Sequence, residues 1–351
     1  LLSSGTHRLH GWECDLSSQT GAMQAGILLG DNHNMPAFRW FEKESGRVMV
    51  TNRPEDAADI EARQSTGTGL LVAGGASRAN VFTGDTQDSL FTFSSVNEKN
   101  DAQRGIGYIV STPYTLFRII ALMIVDIVRE KRAYRRAKNS GVEPLGHRGG
   151  VYPLLRAGTT VALAEITWAM LVADIARGVP SAYVDLVGYD EVAHHSGIER
   201  EDTLAVLAKV DRQIGRIEKA TAEAPRPYRL IVLSDHGQSQ GATFLQRYGY
   251  SLQELVEKAC HSSSTYAATG DGAEASAYMG AGLTELDRDQ TPVTRAIQVG
   301  AEKLDVAHAA DGDGAAKTLV GEEPPELAVM ASGCLGLISF PRQPGRLTLE
   351  T

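Results

Sequence analysis

Cysteine is scarce in this chain. Cys14, Cys260 and Cys334 are the only three, and they stand far apart. An odd count without close spacing excludes a disulfide framework and a zinc-finger pattern. Incidental or buried thiols are the expectation. A basic excess is also lacking: the net charge is −9. That argues against a surface for nucleic-acid polymers. A small polyanionic substrate would therefore need local cations, which metal ions can supply. There is no internal repeat and no pattern of charged, apolar and small-residue regions that would mark a signal peptide. The chain opens Leu1-Leu2-Ser3-Ser4 and closes Leu349-Glu350-Thr351. It reads as a segment of a longer protein, cut at both ends.

What is present is a chain of 351 residues, 42% hydrophobic, able to bury a large core as one large domain or two smaller ones. Up to about residue 100 it is rich in Gly, Ser and Thr. Gly26-Ile27-Leu28-Leu29-Gly30 reads as a helix or strand piece, and residues 69–75 as a strand bounded by turns. From Pro113 to about Lys138 the apolar rhythm is helical, through Leu116, Ile119, Ile120, Met123 and Ile127. The apolar stretch 119–128 is too short to span a bilayer. Arg129-Glu130-Lys131-Arg132-Ala133-Tyr134-Arg135-Arg136 makes the end of this helix basic. Two readings stand: a core helix with a solvated basic end complementing the helix dipole, or a helix that docks on a membrane surface or a partner. A second helix is expected over about 154–177, joined to the first through a loop at 141–150, and a third over 202–219. Residues 301–323, rich in Asp, Gly and Ala, read as a surface loop.

Two short segments carry the chemistry. Asp190-Glu191-Val192-Ala193-His194-His195 follows the apolar run 182–187, and Ser234-Asp235-His236-Gly237 follows Leu230-Ile231-Val232-Leu233. Both apolar runs read as buried strands, and the helix between them makes a parallel, right-handed βαβ unit. Ligands at the carboxyl ends of neighbouring strands share one crevice of an open α/β sheet. A four-residue spacing lets Asp190 and His194 meet at one point. His195 then points elsewhere, as an outer hydrogen-bond donor or a substrate contact. Asp235 and His236 diverge from a strand, but at its end, with Gly237 allowing a bend, they can serve two ions. Mixed oxygen and nitrogen donors suit zinc, with manganese second, better than magnesium or calcium. The segment Gly74-Gly75-Ala76-Ser77-Arg78-Ala79-Asn80 could cradle a phosphate, but it lacks the Walker spacing and its lysine, and a tight turn is the simpler reading.

Asp190 through His194 followed by Ser-Asp-His-Gly resembles the alkaline phosphatase superfamily, and within it the type I phosphodiesterase/nucleotide pyrophosphatase branch. The resemblance is strongest over 19–30 and 182–241, and the chain is similar to bacterial members with a membrane region upstream. It implies an α/β fold: a sandwich with a mostly parallel central sheet flanked by helices. Residues 1–351 would form a single catalytic domain, truncated at both ends, with a helical insertion at about 113–178. It nominates Thr20 as nucleophile, since the stretch from Thr20 to Gly30 has the spacing of the family's nucleophile segment. It implies two divalent ions held by Asp190, His194, Asp235 and His236, a phosphothreonine intermediate, and a phosphate-ester substrate.

The chain also departs from that pattern. The family's Pro-Asn after the nucleophile is Ala22-Met23 here, and its downstream asparagine has no clear match; Arg39, Arg78, Asn80 and His195 are the substrate-binding candidates. The family's first Asp and last His ligands have no counterpart, since Asp15 lies too close to Thr20 and neither His261 nor His308 has a matching context. A residue such as Thr20 could also simply cap a helix. No cysteine has the Cys-x-Pro-x-Arg setting of a sulfatase, and a phosphoglycerate mutase fits less well. A phospholipid-headgroup phosphotransferase and a non-catalytic metal-binding module remain as alternatives, with membrane association expected through regions outside the segment.

Overall fold

The computed structural model describes residues 2–3, 5–98, 112–142, 148–150, 152–262, 264–269, 273–288, 295, 324–345 and 347–348. The reading of 301–323 as a surface loop, and His308 with it, lies outside them.

The architecture is mixed α/β, with three small sheets. Strands β1 (Arg39–Glu42) and β2 (Arg47–Val50) form an antiparallel hairpin. Strands β3 (Ala76–Arg78), β4 (Asp88–Leu90) and β5 (Ala182–Val184) form a wholly parallel sheet in the order β4-β3-β5. Strands β6 (Thr265–Thr269), β7 (Leu327–Ser332) and β8 (Leu335–Ser339) form the third sheet, parallel across β6–β7 and antiparallel across β7–β8. The parallel pairings are confined to these small sheets; the large, mostly parallel central sheet expected from sequence is not shown among the described residues.

The predicted helices form where the apolar period is 3.6. Helix Thr20–Leu29 buries residues on every side, as a core helix does, and Gly30 closes it at φ +85°. Helix Pro113–Asn139 starts on its proline, which lacks an N–H the first turn could not satisfy. Helix Tyr152–Arg177 contains a π-helical stretch, Gly158–Leu163. It is apolar and long enough to cross a membrane, but it is mostly buried and lends Leu163, Ile166 and Met170 to the core. Helix Glu201–Ala222 matches the third predicted helix.

Two predicted strands do not form. Residues 69–75 turn instead: Gly75 N donates to Leu71 O, and Leu71 N to Gly84 O. A side chain at Gly69 would lie 2.6 Å from Gly84 O, so this is a place of close backbone approach rather than a strand. Residues 230–233 run without helix or ladder, and Ile231 is 72% exposed. An apolar run becomes a strand only when a neighbour supplies ladder partners; here none of the described strands flanks it. The βαβ unit therefore stops after its helix.

The main core gathers Leu28, Met49, Phe82, Leu90, Phe91 and Phe93 between the first helices and the parallel sheet. Each large apolar side chain taken from water there stabilises the fold by about 1.5–3 kcal/mol. A second cluster packs Phe38, Phe41, Val48 and Val50 of the hairpin on Ala268, Ala328 and Met330 of the third sheet.

Candidate active site

The site forms at the carboxyl end of β5, where helix Tyr189–Ser196 and the segment 234–240 meet the start of helix Thr20–Leu29. Thr20 is the first residue of its helix, with Gln19 in the N-cap position. Ser18, two residues before, has φ +43°, an uncommon backbone for a residue with a side chain. Gly21 is required by contact: a Cβ there would lie 2.6 Å from Thr51 Cβ and Cγ2.

Thr20 Oγ1 lies 3.1 Å from His236 Nε2. His236 Nδ1 lies 3.1 Å from Gly237 O, and a carbonyl can only accept. In a neutral ring the proton is therefore on Nδ1, and the Nε2 lone pair faces the Thr20 hydroxyl. Trp12 Nε1 donates to Ser234 O at 3.1 Å, and the Ser234 hydroxyl donates to His236 O, which together pin the turn carrying Asp235 and His236.

On the other wall, His194 Nε2 lies 3.2 Å from Asp190 Oδ2, one helical turn away. Gln238 Nε2 donates to the other Asp190 oxygen. Burial alone would raise the Asp190 pKa; the His194 hydrogen bond and charge, with His236 and Gln238, outweigh it and hold the group below the usual carboxylate range. Asp235 Oδ2 is 4.0 Å from His236 Nε2.

Three residues that had no motif to announce them join this site. Asp185, directly after β5, accepts from Gln24 Nε2 at 3.0 Å and from the Tyr278 hydroxyl at 3.4 Å. Burial, and then the nearby Asp235 and Asp190 carboxylates, push its pKa up to about 8. Gln24 is one turn beyond Thr20 and also receives Val81 N–H at 2.7 Å. Gln238 belongs to a run, Gln238-Ser239-Gln240, whose Gln240 accepts from Ile198 N at 3.0 Å. This alternating polar run after Gly237 was the one sequence signal that could have suggested it.

The four substrate-binding candidates are placed elsewhere. Arg78 is wholly buried and gives two 2.9 Å hydrogen bonds to Asp174, with Asp88 Oδ1 at 2.8 Å. Its guanidinium is engaged by these two acids inside the protein. Asn80 is buried as well, donating to Ser77 Oγ at 2.8 Å and Tyr183 O at 2.9 Å. Arg39 is buried on β1 with its guanidinium over the Phe38 ring. His195 turns away from Asp190, to Glu191 Oε1 at 3.1 Å and the Tyr152 ring at 4.2 Å between centroids. His261 caps helix Leu252–Cys260 at φ +51°.

The donors suit a divalent cation in kind: carboxylates and imidazoles of Asp190, His194, Asp235 and His236, with Asp185 a further carboxylate among them. Their excess of negative charge is what a cation would offset. In geometry they are pairs; among the described residues no three His, Cys, Asp or Glu groups are arranged to hold an ion.

Residues 164–317 match the family model of type I phosphodiesterase / nucleotide pyrophosphatase. This family belongs to the alkaline phosphatase superfamily. No curated protein and no solved structure matches the chain. The stretch that matches the phosphodiesterase/nucleotide pyrophosphatase model holds Asp185, Asp190, His194, Asp235 and His236, while Thr20 lies outside it. The class implied by the family is phosphoester hydrolase.

Proposed function

We propose that the chain is a metal-dependent phosphoric ester hydrolase of the phosphodiesterase/phosphatase type that works through a phosphothreonine intermediate on Thr20. One observation carries this: the Thr20 hydroxyl, at the start of a buried helix, meets His236 across 216 residues of chain at 3.1 Å. A hydroxyl is a weak nucleophile until a neighbouring lone pair or cation activates it. In the metal-free chain the His236 Nε2 lone pair is that partner; were the same lone pair given to an ion, the cation would take over the activation of the hydroxyl. The helix start also offers unpaired N–H groups and a positive dipole end, which favour a phosphoryl group beside Thr20.

Asp190, His194, Asp235 and His236 would hold divalent ions, zinc first and manganese second by donor type. The chemistry such ions supply is polarisation of the phosphoryl oxygens and activation of hydroxyl or water. The chain's own residues do the rest. Gln24 and Tyr278 fix Asp185. Gln238 and His194 fix Asp190. Gly237 and Ser234 fix the His236 turn. Thr20 oxygen bonds to phosphorus as the P–O bond to the leaving group breaks, and the hydroxyl proton passes to the departing ester oxygen, which leaves as the alcohol. Water oxygen then bonds to phosphorus as the Thr20 O–P bond breaks, one water proton restoring the Thr20 hydroxyl and the other staying on or leaving the phosphate.

The test uses the 351-residue chain with zinc or manganese added, on an aryl phosphate monoester and a diester. Turnover by wild type, a phosphate adduct mapped to Thr20 by mass spectrometry, and loss of both in Thr20→Ala are expected. Turnover unchanged in Thr20→Ala would end the nucleophile assignment. Transfer to added alcohol in preference to water would move the reading to a phosphotransferase.

A further inference from the structure

Helix Pro113–Asn139 has an outer face that the reaction leaves unused. Tyr114 and Phe117 are each 73% exposed, and Ile120, Ile124, Val125 and Val128 are exposed on the same side. At about 100° and 1.5 Å per residue these six side chains cover one side of the helix for about 21 Å. Isolated apolar residues on a surface need no explanation, but a contiguous stripe marks an interaction site. The face then changes character along the axis. Arg129, Lys131, Arg132, Arg135, Arg136 and Lys138 follow, all exposed, and none has an ion-pair partner among the described residues. The one acid in that stretch, Glu130, is buried against Arg148 and Arg156 on the inner side. A chain of net charge −9 thus presents six cations together, next to an exposed aromatic and aliphatic stripe.

We infer that this face docks on an anionic phospholipid surface, with the turns from Tyr114 to Val128 entering the acyl boundary and the basic turns lying on the head groups. Charge complementarity selects that occupant. An apolar stretch ending in a cluster of four to eight Lys and Arg is the arrangement that anionic bilayers attract, each cation near the surface adding to the attraction. An aromatic pair at the apolar end adds area suited to the interface. The helix keeps its fold while docked, because its opposite side is tied down. Glu130 is bound to Arg148 and Arg156, which also reach Asp202, and Asp202 accepts from Ser196 at the end of the helix carrying Asp190 and His194.

Co-sedimentation of the 351-residue chain with vesicles tests this. Binding is expected with phosphatidylcholine vesicles that contain phosphatidylglycerol, not with phosphatidylcholine alone, and it should weaken as salt rises. Reversing three charges together, Arg132→Glu, Arg135→Glu and Arg136→Glu, should weaken it about a hundredfold or more. Phe117→Ser with Ile124→Ser should weaken it about tenfold or more while leaving the salt dependence. Both sets sit at exposed positions; should either misfold, hydrogen exchange on the wild type replaces them, with slowed exchange over 113–128 expected on adding anionic vesicles. Equal binding to both vesicle types, no binding, or full binding by the charge-reversed variant overturns the inference. So does a dimer broken by Phe117→Ser in a chain that ignores vesicles, which would give the face to a second copy. Thr20→Ala should bind vesicles as wild type does, so the result stands apart from the catalytic reading.

Discussion

Gln24 and Asp185 are joined across 161 residues by a 3.0 Å hydrogen bond from Nε2 to Oδ2. Gln24 lies one turn beyond Thr20, and Asp185 one residue beyond β5, so this single contact couples the helix bearing Thr20 to the strand end that leads to Asp190. The Asp185 backbone N–H also donates to Arg78 O at 3.1 Å, continuing the β3–β5 pairing by one residue. Asp185 is thus fixed in main chain and side chain, with two other carboxylates near it.

That placement gives a pH dependence with a definite sign. The folded Asp185 pKa is raised from 3.8 to about 8. Below the lower value both folded and unfolded chains hold the proton. Between the two, only the folded chain does, so its stabilising contribution falls as pH rises, by up to about 1.4 kcal/mol per pH unit. Above the folded value neither holds it and the slope ends. Asp185→Asn removes the titration and keeps an acceptor for Gln24. In chelator-treated protein, the variant should gain a few degrees in Tm on wild type at about pH 8.5 relative to about pH 5. Parallel Tm profiles for the two proteins would show that Asp185 ionises normally.

Arg78 and Asp174 should behave as a buried structural pair. Removing Arg78 leaves the buried Asp174 with only the half-exposed Arg177 as a cation, a loss of up to about 3–5 kcal/mol, the cost of breaking a buried pair. Arg78→Leu should therefore shift the denaturant midpoint strongly. Replacing both, Arg78→Leu with Asp174→Leu, should recover part of the loss. Arg78→Lys, less stable but folded, should keep its KM for an aryl phosphate ester. A KM raised in proportion to the stability loss would return Arg78 to the substrate.

Gly21 is held by space alone. Alanine there puts its Cβ 2.6 Å from the Thr51 Cβ, and overpacking of this kind costs about 1–3 kcal/mol. Gly21→Ala should lower Tm by several degrees and reduce turnover as well, because the helix start that carries Thr20 must move. Thr51→Gly in the same chain removes the clash and should restore part of both losses. Wild-type Tm in Gly21→Ala would mean that the helix start has room to shift.

The sequence announced the parts of this site that come as close pairs. Asp190 with His194 and Asp235 with His236 are local spacings, legible without knowledge of the fold. Helices were legible for the same reason, since Pro113, the 3.6-residue rhythm and the closing glycines are local signals. What stayed hidden depends on distant partners. Arg78 looked like a phosphate contact because Asp174, which consumes it, is 96 residues away. Gln24 and Asp185 carry no motif; each is meaningful only through the other. The run 230–233 has strand composition, but a ladder needs a neighbour and composition does not supply one.

Gln238 offers a test of the site that spares the groups proposed to touch an ion. Its amide donates to one Asp190 oxygen, while His194 sits at the other. Outer hydrogen bonds of this sort orient ligating carboxylates, and losing one costs about 10–100-fold in metal affinity or activity. Gln238→Leu should therefore weaken zinc or manganese binding in calorimetry by about that factor, with little change in the Tm of the metal-free chain. Gln238→Glu should do worse than leucine at neutral pH, because it sets a carboxylate against Asp190. Adding zinc in excess should restore turnover to Gln238→Leu, since the donors themselves are intact, and should not restore it to Thr20→Ala. Metal affinity equal to wild type in Gln238→Leu would show that Asp190 is held by His194 alone, or that Asp190 is no ligand.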